Sequence, residues 1–342
     1  MSNPSAQMSD LARISTADRR LMATVARRFY IDDASKVEIA KELGLSRFKV
    51  ARLLDQAKST GMVTITLRDA GFVDDAMSTQ LSAHLQLREA VVIETLGTEA
   101  EVRRQVGAAA AHLLTETLHA GDVLGLAWGR TLTAMTEELT ALPPVSVVQL
   151  TGAVGSDLAE SPVEVVRKAS LSAGGKAHAI FAPLVVEDAA TAAALRRQND
   201  VASAMHLFGQ VTVAVVAVGS WDPPISQLRE VLPEADRAAL AARGVQAEVA
   251  GILIDCHGRL VGEDFAERCL SISAAELARV PRVIAVAAGA DKAEAVLAVA
   301  RSGLLSSLVT DRPLAEAVLA QPLANPSGGG GSFNHEPGSF DV

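Results

Sequence analysis

Apolar positions recur three and four apart through the N-terminal part of the chain, then give way to unbroken aliphatic runs; this change of period divides the molecule. From Thr16 to Tyr30 the stripe Leu21, Val25 and Ala26 predicts a helix, with Thr16 available as its cap. A second helix is predicted over about Ser35–Leu43, where Ile39 and Leu43 stand one turn apart. Gly44 breaks the pattern, Leu45 turns inward, and Ser46 can cap a third helix over roughly Arg47–Ser59. Gly61 ends that helix, and Val63–Arg68 alternates as a short strand. Helix, short helix, tight turn, helix and β-ribbon is the order of a winged helix-turn-helix. The next stretch, about Val73–Leu87, spaces Ala76, Leu81 and Leu85 as a helix, read as a connector that also serves subunit pairing.

From Ala90 onward, the runs AVVIE, DVLGLA, VSVVQL, AHAIFA, VTVAVVAV, GILID, RVIAVA and SSLVT alternate with helical segments such as Ala100–Leu118, Thr131–Leu142 and Lys292–Arg301. Continuous Val/Ile runs mark strands buried on both faces. The expected fold class is therefore α/β, with the winged helix-turn-helix followed by a larger, doubly wound, mostly parallel domain. The predicted boundaries are 1–69 for the first module, 70–89 for the connecting helix, 90–322 for the α/β domain and 323–342 for a tail. The end of that tail, NPSGGGGSFNHEPGSFDV, is of low complexity and expected to be disordered.

Charge sharpens this division. Residues 1–69 hold twelve Lys or Arg against eight Asp or Glu, +4 in a chain of −9, which leaves −13 for the remainder. An acidic body repels polyanions, so nucleic-acid contact is assigned to the first module, although +4 is also within ordinary scatter. With 49% hydrophobic and 21% charged residues in a length of 342, the chain can bury a sizeable core and is not a disordered one. No apolar run reaches membrane-spanning length, and the N-terminus lacks a secretion pattern, so no membrane partner is expected and a cytoplasmic location is. Cys256 and Cys269 are too few for a disulfide scaffold, and can be one bridge or two thiols. His112, His119, His178, His206 and His257 show no paired metal spacing, and neither G-x-S-x-G nor a phosphate-loop lysine motif occurs; no metal or cofactor is assigned.

On a wheel of the third helix, Val50, Leu53, Leu54 and Ala57 share the packed side. Phe48, Lys49, Arg52 and Gln56 fall opposite. Lys49 and Arg52 suit guanine edges or phosphates, Gln56 suits adenine, and Phe48 suits thymine methyls. Ser46 and Arg47 at the helix start suit a phosphate. A solvated charged face would show the same pattern but leaves the turn and ribbon unexplained.

In the α/β part, ligands are expected beyond the carboxyl ends of strands. DVLGLA runs into Trp128-Gly129-Arg130-Thr131, where a glycine, a helix start, a guanidinium and a hydroxyl suit an anion. VVQLTGAVG puts Thr151 and Gly152 at the next strand end, and GILIDCHG puts Asp255 at another. Ordinary strand-to-helix and Asp-Gly turns read the same way. Lys292 opens a helix whose dipole disfavours a cation, a conflict that a bound anion would resolve.

The segment KVEIAKELGLSRFKVARLLDQAKSTGMVTI resembles the DNA-binding segment of SorC/DeoR-type sugar-responsive transcriptional regulators, and the likeness extends to about residue 320. The resemblance implies a winged helix-turn-helix before an effector domain similar to phosphosugar isomerases and deaminases, in a homodimer or homotetramer. Gly125, Gly129, Arg130 and Thr131 match that family's G-x-G-x-G-R-T sugar-phosphate loop, with Ala127 in place of the middle glycine. The family also implies a sugar-contacting loop at Thr151 and an acidic group at Glu248 that binds hydroxyls. AAGADK resembles its A-G-G-x-x-K, with Ala288 for one glycine and Lys292 on the phosphate. A carboxylate pair accepts only, which suits the donor hydroxyls of polyols. The expected function is a regulator of a carbohydrate-utilisation operon, with double-stranded operator DNA and a sugar, polyol or sugar phosphate as partners. The alternatives are an isomerase- or deaminase-like enzyme with an accessory DNA-binding domain, whose base would be sought near Asp255–His257, and an α/β interaction platform.

Overall fold

The computed structural model describes residues 15–63, 72–155 and 160–323. The chain separates into two compact units, Met1–Asp69 and Ala70–Val342. In the first, helices span Thr16–Tyr30, Lys36–Glu42 and Arg47–Ser59. Each begins at a serine whose hydroxyl accepts a backbone N–H three residues on: Ser15 from Asp18, Ser35 from Glu38 and Ser46 from Lys49. The first cap is thus Ser15, because Thr16 is already helical. Glu38 returns the favour to the Ser35 amide at 2.8 Å, closing a capping box on the short second helix. Met22, Val25, Ile39, Val50, Leu53, Leu54 and Ala57 are buried together, so the three helices share one small core. The ribbon expected over Val63–Arg68 lies, beyond Val63, outside the described residues, as does the tail from residue 324.

Among the described residues of the larger unit ten strands follow in chain order: β1 (Glu89–Ile93), β2 (Val123–Leu126), β3 (Ser146–Gln149), β4 (Ala177–His178), β5 (Val213–Ala217), β6 (Gly219–Ser220), β7 (Val245–Val249), β8 (Ile252–Asp255), β9 (Arg282–Val286) and β10 (Ser307–Asp311). Seven form a sheet in the order β1-β10-β9-β5-β2-β3-β4, with every pairing parallel. The path runs outward through β2, β3 and β4, then restarts at β5 and runs the other way. The junction between β2 and β5 is therefore the point where the winding reverses, the position at which parallel sheets open a crevice. The aliphatic runs are buried on both faces, as in Val213–Val216. The stretch read as a connector is helical over Asp75–Leu85 and packs into this unit; its Ser78 hydroxyl accepts the Val92 amide at 2.9 Å.

GILID departs from its expected place in the parallel sheet. It is β8, one arm of a three-stranded antiparallel sheet in the order β6-β7-β8. Ala250 and Gly251 both take positive φ, 51° and 81°, and this two-residue turn folds β7 back onto β8 as a hairpin. An aliphatic run records burial and not strand direction, so this turn decided the placement.

Candidate functional site

At the β2–β5 reversal the carboxyl ends of four parallel strands enclose a cavity of about 390 Å³. Trp128 and Gly129 follow β2, Val218 follows β5 and leads to Gly219 at the start of β6, Ala288 and Gly289 follow β9, and Asp311 ends β10. Arg130 and Thr131 enter from the helix Arg130–Glu138, Glu99 and Arg103 from Glu99–Thr117, and Ser226, Gln227 and Glu248 from the side of the small sheet. Gly129 holds φ 141°, and a Cβ there would come within 2.8 Å of the Ala217 Cβ. Only glycine lets β2 pass β5 at this distance and turn directly into the helix. No side chain caps that helix, so its first-turn amides are left for solvent or a ligand.

The cavity is polarised. Lys292 is half-buried and donates from Nζ to the Val218 carbonyl at 2.9 Å. Its pKa is lowered, first by burial and further by Arg130 and Arg103, while Glu248 works in the opposite direction. Glu248, 4% exposed on β7, accepts from the Ser226 hydroxyl at 3.1 Å and from the Gly251 amide at 3.3 Å. Burial pushes its carboxyl up to about 7, against those two hydrogen bonds and the Lys292 charge. Asp311 is 2% exposed, accepts the Gly289 amide at 3.0 Å and is likewise raised by burial. These groups can offer cationic and amide donors to an anion, and carboxylate acceptors to hydroxyls, within one enclosure.

The structure brings together Gly129, Arg130, Thr131, Glu248 and Lys292. It places Thr151, Gly152 and Asp255 outside this lining. Thr151 is buried in a bridge to Ser271, the Gly152 amide donates to Leu270 at 2.7 Å, and a Cβ on Gly152 would meet the Pro183 carbonyl oxygen at 2.5 Å. These two residues lock the loop after β3 against neighbouring chain. Asp255 ends the hairpin, where its Oδ1 accepts the His257 and Arg259 amides, each at 2.8 Å, and closes a turn. Ala127 is buried outside the lining, whereas Ala288 lines the cavity. Asp311, Ser226 and Arg103 line the cavity without having been expected there. Asp311 carried the usable signal, an acidic residue between an aliphatic strand and a helix start. Cys256 and Cys269 are free thiols, the first exposed and the second buried.

In the smaller unit, Val50, Leu53, Leu54 and Ala57 point into the core, while Ser46, Arg47, Phe48, Lys49 and Arg52 are exposed and Gln56 is half-buried. Phe48 is 88% exposed, so its ring is available to a partner. Ser46 spends its acceptor on the Lys49 amide, and its hydroxyl proton remains available to a phosphate.

Residues 72–320 match the family model of the sugar-binding domain, Sugar-bind. The chain is similar to the transcriptional regulator LsrR of Klebsiella pneumoniae subsp. pneumoniae, with 28% identity over 90% of this chain and 95% of that one. It is 27% identical to the sorbitol operon regulator of Klebsiella pneumoniae, over 88% of this chain and 98% of the relative. The crystal structure of the full-length sorbitol operon regulator SorC from Klebsiella pneumoniae superposes with a TM-score of 0.64 at 25% identity, covering 89% of this chain and all of that one.

Proposed function

Because this chain belongs to the sugar-binding domain family of SorC/DeoR-type regulators, we propose that it is a DNA-binding transcriptional regulator of a carbohydrate-utilisation operon. Its switch is a sugar, polyol or sugar phosphate bound in the larger unit. The observation that carries this reading is the cavity at the β2–β5 reversal, with Arg130 and Lys292 as cations and Glu248 as a buried carboxylate, in a chain that also has a helix-turn-helix. Gly129, Arg130, Thr131 and Lys292 form the anion end, and Glu248 takes hydroxyls. Thr151, Gly152 and Asp255 shape the surrounding chain and do not touch the ligand. Among the described residues no helix is long and apolar enough to cross a membrane, which accords with a regulator working on DNA in the cytoplasm.

A thermal-shift screen across sugars, polyols and their phosphates, followed by anisotropy on duplexes selected from a random pool, tests the reading. A compound that stabilises the protein by mass action should also change its affinity for DNA. A stabilising compound without effect on DNA binding would count against the regulator. Glu248 is where an isomerase would place its base, so pentose and hexose phosphates should be recovered unchanged after incubation; turnover that disappears in Glu248→Gln would favour the enzyme.

The exposed face of Arg47–Ser59 reads the major groove, with Lys49, Arg52 and Gln56 on base edges, Phe48 on methyl groups, and Ser46 and Arg47 on phosphate. Arg52→Ala and Lys49→Ala should each weaken operator binding by about 1–3 kcal/mol at constant salt while leaving the fold intact. Unchanged affinity in both would remove this helix from the groove. One such helix covers a single half-site, so the active species should be at least a homodimer, and a homotetramer satisfies the same need. Light scattering that finds only monomer on operator DNA would overturn this.

A further inference from the structure

We infer that Glu160 and Glu230 are internal counter-ions of Arg130 that an anionic effector group has to displace, and that they set how strongly the cavity prefers a phosphorylated over an unphosphorylated polyol. The inference deepens the effector reading above and rests on Arg130 belonging to that site.

Three cations line the cavity, Arg103, Arg130 and Lys292. Arg103 pairs with Glu99, one turn away on its own helix. Lys292 is held by the Val218 carbonyl. Arg130 differs, because it stands between carboxylates brought from two other segments. Its Nε lies 3.8 Å from Glu160 Oε2, and one terminal nitrogen lies 3.6 Å from Glu230 Oε1. Both separations are within ion-pair range but too long for hydrogen bonds, so the two carboxylates counter the guanidinium charge without consuming its donor fork. Arg130 keeps about a third of its side chain exposed, 34%, and remains reachable from solvent.

Neither glutamate lines the cavity, yet both are tied to its wall. Gln227, which does line it, donates to Glu160 Oε2 at 2.7 Å, and Glu230 lies on the same short helix, Gln227–Val231. The lining itself holds four carboxylates, Glu99, Glu248, Asp291 and Asp311, against its three cations. Adding Glu160 and Glu230 makes the site more acidic still. A neutral polyol gives its hydroxyl protons to carboxylates and leaves the Arg130 pairs undisturbed. A phosphate needs the guanidinium and so competes with both glutamates. The pair therefore penalises the anionic ligand selectively.

The test uses the full chain and inorganic phosphate as the probe, titrated against chloride at constant ionic strength and followed by the unfolding temperature. Glu160→Gln/Glu230→Gln, Arg130→Ala and the triple variant are compared with the parent, with circular dichroism and melting in chloride as checks on folding. The double Gln variant should lower the half-saturating phosphate concentration by roughly three- to tenfold, the sum of two half-exposed ion pairs. That gain should vanish when Arg130 is alanine. Glucitol, a neutral probe, should respond equally in parent and double variant. An unchanged or raised half-saturation in the double variant, with Arg130→Ala still weakening phosphate, overturns the counter-ion role and leaves the anion end of the effector reading standing. Phosphate dependence that is absent from every protein, or indifferent to Arg130→Ala, overturns that anion end and this inference with it.

Discussion

Lys292→Ala should abolish the response to a phosphorylated effector while leaving DNA affinity in the absence of effector unchanged. The ammonium group is half-buried at the carboxyl edge of the sheet and makes its hydrogen bond to the Val218 carbonyl, so its charge is poorly solvated before any ligand arrives. A phosphate there would gain a charge-assisted contact in a site of low dielectric, adding to the attraction that Glu248 already exerts on the ammonium. Removing one member of such a buried pair costs about 2–4 kcal/mol, or roughly 30- to 1,000-fold in affinity. The fold should survive, because the substitution also relieves a desolvated cation. The helix proposed to read DNA belongs to the other compact unit, which does not include this residue. Calorimetry with the sugar phosphate that stabilises the parent, beside anisotropy on operator DNA, measures both effects. Retained phosphate affinity would move the anion site elsewhere. An effector affinity lost together with basal DNA binding would point to misfolding, which circular dichroism distinguishes.

Particular residues show how far the sequence could be read. The helix Arg47–Ser59 has the span its apolar spacing predicted, because Ser46 and Gly61 bracket it and its stripe had one small core to fill. The parallel strands were equally plain, since strands covered on both faces need continuous aliphatic runs. Arg130, Thr131 and Lys292 meet at the cavity because each follows a parallel strand at its carboxyl end, a position the sequence reveals whenever strand direction is guessed correctly. Asp255 was misplaced for the converse reason. Its strand looked parallel but is the return arm of a hairpin made by the positive φ of Ala250 and Gly251, and nothing in an Ala-Gly pair announces that turn with the force of Asn-Gly. Thr151 and Gly152 follow a parallel strand as expected, yet the segments at Pro183 and Leu270 close over them, contacts remote in sequence and invisible to local pattern. Ser226, Glu160 and Glu230 are part of the site's surroundings only through tertiary placement.

Glu248 should make stability fall with rising pH in a window that is unusual for a carboxylate. Its carboxyl is raised to about 7 in the folded chain from an ordinary 4.5, so between these values the native state keeps a proton that the unfolded chain has lost. The contribution of the protonated form is complete below the unfolded value, declines as pH rises through the folded one, and is gone above it. The displacement corresponds to about 3 kcal/mol at about 1.36 kcal/mol per pH unit. Glu248→Gln retains an acceptor for the Ser226 hydroxyl and the Gly251 amide but does not titrate. It should therefore match the parent near pH 5 and exceed it near pH 8, with a melting-temperature gap that opens by roughly 4–10 °C for a unit of this size. Lys292 titrates with the opposite sign, since a lowered cation favours the native state as pH rises, so the comparison is repeated with Lys292→Met in both proteins to separate the two. Effector binding should show the complementary trend. Hydroxyl donors prefer the carboxylate to the carboxylic acid, so a polyol should bind the parent more tightly above pH 7 than below it, and should bind Glu248→Gln weakly at every pH. A stability difference that stays flat from pH 5 to pH 8 would mean that Glu248 is already ionised across that range, with Lys292 as its full counter-ion.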